Sequence, residues 1–432
     1  MESRNGGNTQ SDYASRIINI LLCLMCVCAV MGSSYFGLKL SFFTLSPFRI
    51  VFLAVLLVVV LRRFISVPTD VRSIIQFYGL WFGVSLLSIL WSKDTESCIK
   101  ATIILGISFC TIIAMCNLIH SKNTIKKLIM VFVLCYLVVI GFGVFESVTG
   151  KYFFVNKSNI LSRMSILKYR APLVFFTNQN DFSLFVVFGI FTVLYKRETV
   201  TSVVARVLLD ISIAVGIGLI IFADSRGCML SLLLGIFVWT ILTVNKLDNK
   251  KKAIIIIIAS FVILVVTALY YDKIIGAMLS FFHFGDTSRG RTSDTNREIL
   301  IRNGIDMVMS SFGIGVGAGN SPFYLKNIYG DVKGIYALHN WFVQIFAEFG
   351  LLIGLLYIVQ YGIIIIKLAR IIRANSDDIN NGLSKFFLTA AIMLTVGTIS
   401  PSSVFDVEWI WMFWAIAIAY IGVENCDVQR RE

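Results

Sequence analysis

Apolar residues recur in continuous runs of roughly 17–25 positions, the length that crosses the hydrocarbon core of a bilayer. Water is absent there, so every backbone amide and carbonyl must find its partner inside the protein, and only helices or closed barrels achieve that. The runs are unbroken rather than alternating, which specifies helices. Of the 432 residues 57% are hydrophobic and 15% charged, too little polar surface to coat a soluble globule of this size. The chain therefore reads as an all-α integral membrane protein, a bundle of about 12 transmembrane helices with a long extracytoplasmic loop containing amphipathic helices.

The expected spans fall at 17–35, 48–61, 74–91, 99–120, 127–145, 181–195, 203–222, 226–244, 253–270, 341–367, 383–398 and 409–423. Two of them, 48–61 and 181–195, are short, which leaves tilt, extension and partial re-entry open. Arg16 followed by Ile17 to Val30 has the outline of a signal peptide. No small-residue cleavage site follows and further spans do, so it reads as the first helix.

Basic residues crowd alternate connections: Arg62, Arg63 and Arg72; Lys122, Lys126 and Lys127; Lys196, Arg197 and Arg206; Lys246 and Lys250 to Lys252; Lys367, Arg370 and Arg373. The connections between these are poor in them. The positive-inside rule then makes the rich loops and both termini cytoplasmic. Residues 1–270 hold the first nine expected helices and one outer loop at 146–180, residues 271–340 form a large extracytoplasmic loop, and 341–432 hold the remaining helices and a cytoplasmic tail. Long loops of this kind are usually functional or disordered, and aromatic residues with helical patterns favour function.

The net charge of +13 would suit nucleic acid in a soluble protein, but here the cations sit in short clusters between apolar runs, so no nucleic-acid partner is expected. Six of the nine cysteines, Cys23, Cys26, Cys28, Cys110, Cys116 and Cys135, lie inside apolar runs, where cysteine acts as a small apolar residue. No His/Cys/Asp cluster has metal-ligand spacing, and neither metal nor cofactor is expected.

Polar chemistry concentrates between about Phe284 and Gly354. Thr295-Asn296 can cap a helix from Arg297 to about Ser311, with Ile301, Ile305, Val308 and Phe312 on one stripe and Arg297 close to that stripe's line. Arg302 lies to the side, four residues before Asp306, and reads as one half of a surface pair. Arg297 suits either an anionic ligand or simple snorkelling. Gly313 to Asn320 matches a dinucleotide fingerprint by letter, but no strand precedes it, so the nucleotide reading falls. Its glycines, Gly315 and Gly317 among them, serve close packing of backbone or offer amides to a phosphate.

His339 directly precedes an expected span, with Asn340 beside it and Gln344 and Glu348 following at helical spacing. An ionisable residue within a span is a functional candidate. His120 ends a cytoplasmic helix and His283 sits among phenylalanines, so both look incidental. Arg226, in a tight outer turn with Asp224, either pairs locally, anchors at the interface or meets an anion. In the loop 146–180, Arg163, Lys168 and Arg170 add positive charge beside Asn178 to Asp181. Several cations facing one histidine suit a diphosphate. Guanidinium forks match phosphate oxygens, fixed positive charge stabilises a departing diphosphate, and a neutral imidazole can take a proton from an attacking hydroxyl.

At Arg297, at Gly315-Val-Gly-Ala-Gly-Asn320 and at His339-Asn340-Trp341, followed by Glu348-Phe-Gly350-Leu-Leu-Ile-Gly354, the chain resembles the O-antigen ligase and Wzy-type polymerase superfamily of bacterial membrane proteins. The resemblance implies a glycosyltransferase that needs no metal, working at the outer face of the bacterial cytoplasmic membrane on an undecaprenyl-diphosphate-linked glycan. It gives Arg297 and His339 the diphosphate-binding and acceptor-activating roles, with Arg226 in the position of an outer-turn arginine. Arg170 and Arg302 join the binding set, and Asn340, Gln344, Glu348, Gly315 and Gly317 support it. Expected partners are the lipid bilayer, a chain-length regulator and a flippase. The family often has Pro before its Gly-x-Gly turn, where this chain has Phe312.

The favoured function is a polymerase joining lipid-linked repeat units into O-antigen, capsule or exopolysaccharide. The alternatives are a ligase moving finished glycan to another acceptor and, from a different class, a transporter or flippase. A transporter should show paired repeats and charged or interrupted helices at mid-membrane. A glycosyltransferase using acids in the first outer loop is disfavoured, because Gly32 to Pro47 holds no Asp or Glu, and Asp406-Val-Glu408 reads as a helix cap.

Overall fold

The computed structural model describes residues 5–32, 36–40, 43–62, 67–154, 170–244, 293–329, 334–374, 382–399, 403 and 405–429. The expected span at 253–270, and Arg163 and Lys168, lie outside these. Every other expected span is a helix: α1 (Asn5–Met31), α2 (Pro47–Leu61), α3 (Arg72–Leu87), α4 (Thr95–Leu118), α5 (Lys122–Thr149), α6 (Gln179–Thr199), α7 (Val203–Phe222), α8 (Arg226–Val244), α11 (Trp341–Ala374), α12 (Gly382–Gly397) and α13 (Glu408–Gln429). The large loop contributes α9 (Ser293–Ser310) and α10 (Ser321–Asn327), and a two-stranded antiparallel hairpin, β1 (Leu38–Leu40) and β2 (Phe43–Leu45), joins α1 to α2. Six of the described helices are long and apolar enough to cross a membrane by themselves, and shorter apolar helices stand beside them.

The helix boundaries follow from local chemistry. Ser46, Asp94, Ser121, Asn178 and Ser202 each accept a first-turn amide through their side chains, and Gly150 closes α5 in the left-handed region. The short expected segment at 181–195 is in fact a 21-residue helix, and its residues from Asp181 to Val193 are buried all round. The stretch Trp409–Glu424 of α13 is buried in the same way. A helix apolar on every side belongs inside the bundle. By contrast α7 turns Val203, Val204, Val207, Leu208 and Ile211 outward, as a helix facing lipid should.

α12 packs on α8 and α5 on α6 in opposite directions, while α13 packs on α4 running the same way, and the connections alternate between two ends. One end holds the Ser88–Asp94 turn, Gly150, Asn178, the Ala223–Ser225 turn, Thr398 and the start of α11. The other is laced by the ion pairs Lys122–Glu424, Arg197–Asp210 and Lys385–Glu198. Between them an aromatic cluster of Trp81, Trp341, Phe349, Tyr357, Phe405 and Trp411 fixes α3, α11 and α13, with the Trp341 and Phe405 rings 4.6 Å apart.

Candidate active site

Helix α11 is broken. Gly350 sits at φ 80°, ψ −177°, which separates a short half carrying Gln344 and Glu348 from the long half beginning at Leu351. A break in lipid leaves backbone groups without partners unless the protein supplies them. Here the glycine segment does so. Val316 donates its amide to the Ala347 carbonyl at 2.9 Å, Gly317 to the Glu348 carbonyl at 3.0 Å, and Leu351 donates to the Gly313 carbonyl at 2.9 Å.

The remaining amides of the segment are also engaged. Gly313 and Ile314 donate to the Val308 and Ser311 carbonyls, Gly315 to the Ser311 hydroxyl, Ala318 to the Ser88 hydroxyl, Gly319 to Glu348 Oε2 and Asn320 to the Gly317 carbonyl. No amide from Gly313 to Asn320 is left for a phosphate, so of the two sequence readings the packing one holds. Gly315 carries a close approach: a Cβ there would lie 2.5 Å from the Gly350 nitrogen. Phe312 stands at φ 53° and is 94% exposed. Proline, locked near φ −65°, cannot occupy that conformation.

Glu348 clamps this segment from within the bundle. It is fully buried, with Oε1 accepting from the Ser321 hydroxyl at 2.6 Å and from Gln344 Nε2 at 3.1 Å, while Oε2 takes the Gly319 amide at 2.9 Å. Its role is to position the loop. Glu348→Gln turns an acceptor into a donor facing donors, and is expected to lower stability by about 1–3 kcal/mol. The melting temperature in detergent checks this; an unchanged value would show that the loop is held by other means.

A second staple was illegible in the sequence. The Asn320 side chain accepts the Asp94 amide at 2.8 Å and donates to the Asp94 carbonyl at 3.2 Å, and Trp91 Nε1 donates to the Gly315 carbonyl at 3.0 Å. The α3–α4 turn therefore forms one wall of the glycine segment. Asp94 itself caps α4, and the Ser97 hydroxyl and amide hold its carboxyl below the usual range. Only contacts more than two hundred residues apart in sequence reveal this wall, and no local pattern marks it.

His339 sits beside the assembly under constraint. It is half-buried at φ 49°, a left-handed conformation that costs a residue with a side chain about 1–2 kcal/mol. Its neighbours hold it there. Leu338 is buried in an apolar cluster with Leu300, Met307 and Val316; Asn340 caps α11 by accepting the Val343 amide; Trp341 donates its amide to the Thr398 carbonyl and its indole to Tyr357 Oη. Strain of this sort at a mouth between helices marks functional positions.

The Arg297 helix reaches the same place. Gly304 of α9 lies against Leu338 and Val343, so α9 packs on the turn that carries His339. The packed face is Asn296, Leu300, Asn303, Gly304 and Met307. This corrects the expected stripe in part: Val308 is buried as expected, but Ile305 and Phe312 are exposed, because the glycine at 304 admits α11 and turns the packed face toward it. The helix also starts at Ser293, ahead of the expected cap at Thr295-Asn296. Arg297 is half-buried and makes no ion pair among the described residues, whereas Arg302 is exposed.

The α7–α8 turn lies at the same end of the bundle. Arg226 opens α8, exposed, and α8 packs on α12, whose Gly397 touches Ser231 and Leu184 and whose Thr398 receives the Trp341 amide. The N-terminal ends of α6, α8 and α11 thus gather around the last turn of α12, each with the positive end of its helix dipole toward the mouth. Arg170 donates to the Val148 carbonyl at 2.9 Å and lies over Gly150, at the end of α5.

An all-helical membrane bundle is the architecture the sequence resemblance leads one to expect. Residues 211–358 match the O-Antigen ligase family, Wzy_C, a span that takes in Arg226, Arg297, the glycine segment and His339 and ends just past Gly350. Over 423 residues the chain is 26% identical to the Teichuronic acid biosynthesis protein TuaE of Bacillus subtilis (strain 168), covering 94% of this chain and 85% of that protein. These comparisons support the O-antigen ligase and polymerase superfamily for this multi-pass membrane protein.

Proposed function

We propose that this protein is a glycan polymerase that joins undecaprenyl-diphosphate-linked repeat units into a surface polysaccharide. The observation that carries the reading is the packing of the Arg297 helix onto the strained turn bearing His339, through Gly304, Leu338 and Val343. The neutral His339 imidazole takes the proton of an acceptor hydroxyl as that oxygen bonds the anomeric carbon of the donor sugar. The bond from that carbon to the diphosphate breaks, and the leaving group departs with the electron pair. Arg297 and Arg226 neutralise its charge, so the step asks for no metal.

In this reading the basic connections face the cytoplasm, as the positive-inside rule favours, with the site at the outer surface of a bacterial cytoplasmic membrane and both termini inside. A flippase then delivers the donor, and a chain-length regulator acts on the product. The similarity to a protein of teichuronic acid biosynthesis favours polymer synthesis over transport.

The test is removal of the protein from its native host, followed by gels of the surface glycan and its lipid-linked precursors. Single repeat units in place of a ladder establish a polymerase. Full-length chains stranded on undecaprenyl diphosphate establish a ligase, and unchanged glycan points to transport. At the residue level, Arg297→Lys is expected to cut activity by roughly tenfold or more through loss of the bidentate fork, and Arg302→Lys to leave it nearly unchanged. Equal activities of the two variants would remove Arg297 from the diphosphate.

A further inference from the structure

The residues flanking Arg226 grip a side chain that has no role in the reading above. Ser225, buried, donates its hydroxyl to Asn180 Oδ1 at 2.8 Å, and Cys228 directs its thiol to the Asn180 carbonyl at 3.5 Å. Asn180 lies in the first turn of α6, whose cap Asn178 accepts the Asn180 amide at 2.8 Å and the Asp181 amide at 2.9 Å. Backbone and side-chain oxygen are therefore both fixed. The amide nitrogen Nδ2 makes no hydrogen bond among the described residues, and the residue is half-buried.

We infer that the Asn180 amide is a further donor-binding group, giving a hydrogen bond to an oxygen of the lipid-linked diphosphate beside Arg226. The inference rests on the donor proposed above. The chemistry suits it: a carboxamide whose oxygen is held by a hydroxyl presents its two N–H bonds in a fixed direction. Asn180 stands at the meeting point of the α6 and α8 N-termini, hydrogen-bonded to the residue that precedes Arg226, where an anion is favoured. Sequence alone left Asn180 without a role, because its place beside Arg226 depends on the contact between α6 and α8.

The substitution Asn180→Asp keeps the oxygen that Ser225 bonds but replaces the donor by a negative charge, while Asn180→Ala removes both. Binding of undecaprenyl diphosphate to the purified full-length protein in nanodiscs separates the roles. A binding group predicts that Asn180→Asp weakens affinity roughly tenfold or more, and more than Asn180→Ala does. Wild-type affinity in Asn180→Asp would reduce the residue to a tether for Ser225 and overturn the inference, with the proposed donor left standing. Failure of the wild-type protein to bind the probe would take down the donor reading and this inference together.

Discussion

Replacing His339 by asparagine is expected to slow glycan joining by roughly 10²–10⁴-fold, the usual contribution of a general base, with protein abundance in the membrane unchanged. Asparagine is chosen for a backbone reason. At φ 49° a side chain is strained, and asparagine is among the residues that tolerate this region best. It can therefore keep Leu338 in its cluster and Asn340 at its cap while removing the basic ring nitrogen. His339→Ala should be as inactive, with a small further loss of stability. Joining activity is read from the glycan ladder, and a full ladder from the asparagine variant would end the general-base assignment.

The second large effect is structural. Gly350→Ala would set a Cβ 2.3 Å from the Gly313 carbonyl oxygen and 2.5 Å from the Ile314 backbone, at a dihedral pair that only glycine adopts readily. The loop cannot retreat, since Gly313, Val316 and Gly317 bond the backbone on both sides of the break. A loss of more than about 4 kcal/mol is expected, enough to deplete folded protein. Gly362→Ala is the control: the space around it is open for 4 Å and its backbone is helical, so alanine should be neutral or stabilising by up to about 1 kcal/mol. Equal accumulation of the two variants would show that the break tolerates a side chain.

These effects also mark how far the sequence could be read. Apolar run length located the helices because bilayer thickness fixes it, and the placing of Gln344 and Glu348 on one helix face, with His339 and Asn340 just before its start, followed from period and span length alone. Gly350 stood in plain sight, yet the span 341–367 was expected to be continuous, because an isolated glycine in an apolar helix is ordinarily tolerated. What turns it into a break is a loop arriving from outside the helix. The helix α9 face was misassigned for a related reason: apolar residues such as Ile305 and Phe312 are free to lie at a surface, and Gly304, with no side chain, gives no hydrophobic signal although it makes the closest contact. The wall formed by Trp91, Asp94 and Asn320 was beyond reach, as it joins segments distant in sequence.

The sealed break also constrains how the chain enters the membrane. A segment holding a charged or hydrogen-bonding carboxyl and unpaired carbonyls is a poor passenger in hydrocarbon, and Glu348 with Ala347 would make α11 one if it arrived alone. The glycine segment precedes α11 in the chain, so it has already been synthesised when α11 emerges. The two then settle as one unit, with α9 and the α3–α4 turn standing ready as the mould. Insertion of this helix is thus coupled to tertiary assembly from the outset, and α11 excised from its neighbours should cross a bilayer far less readily than its apolar length suggests.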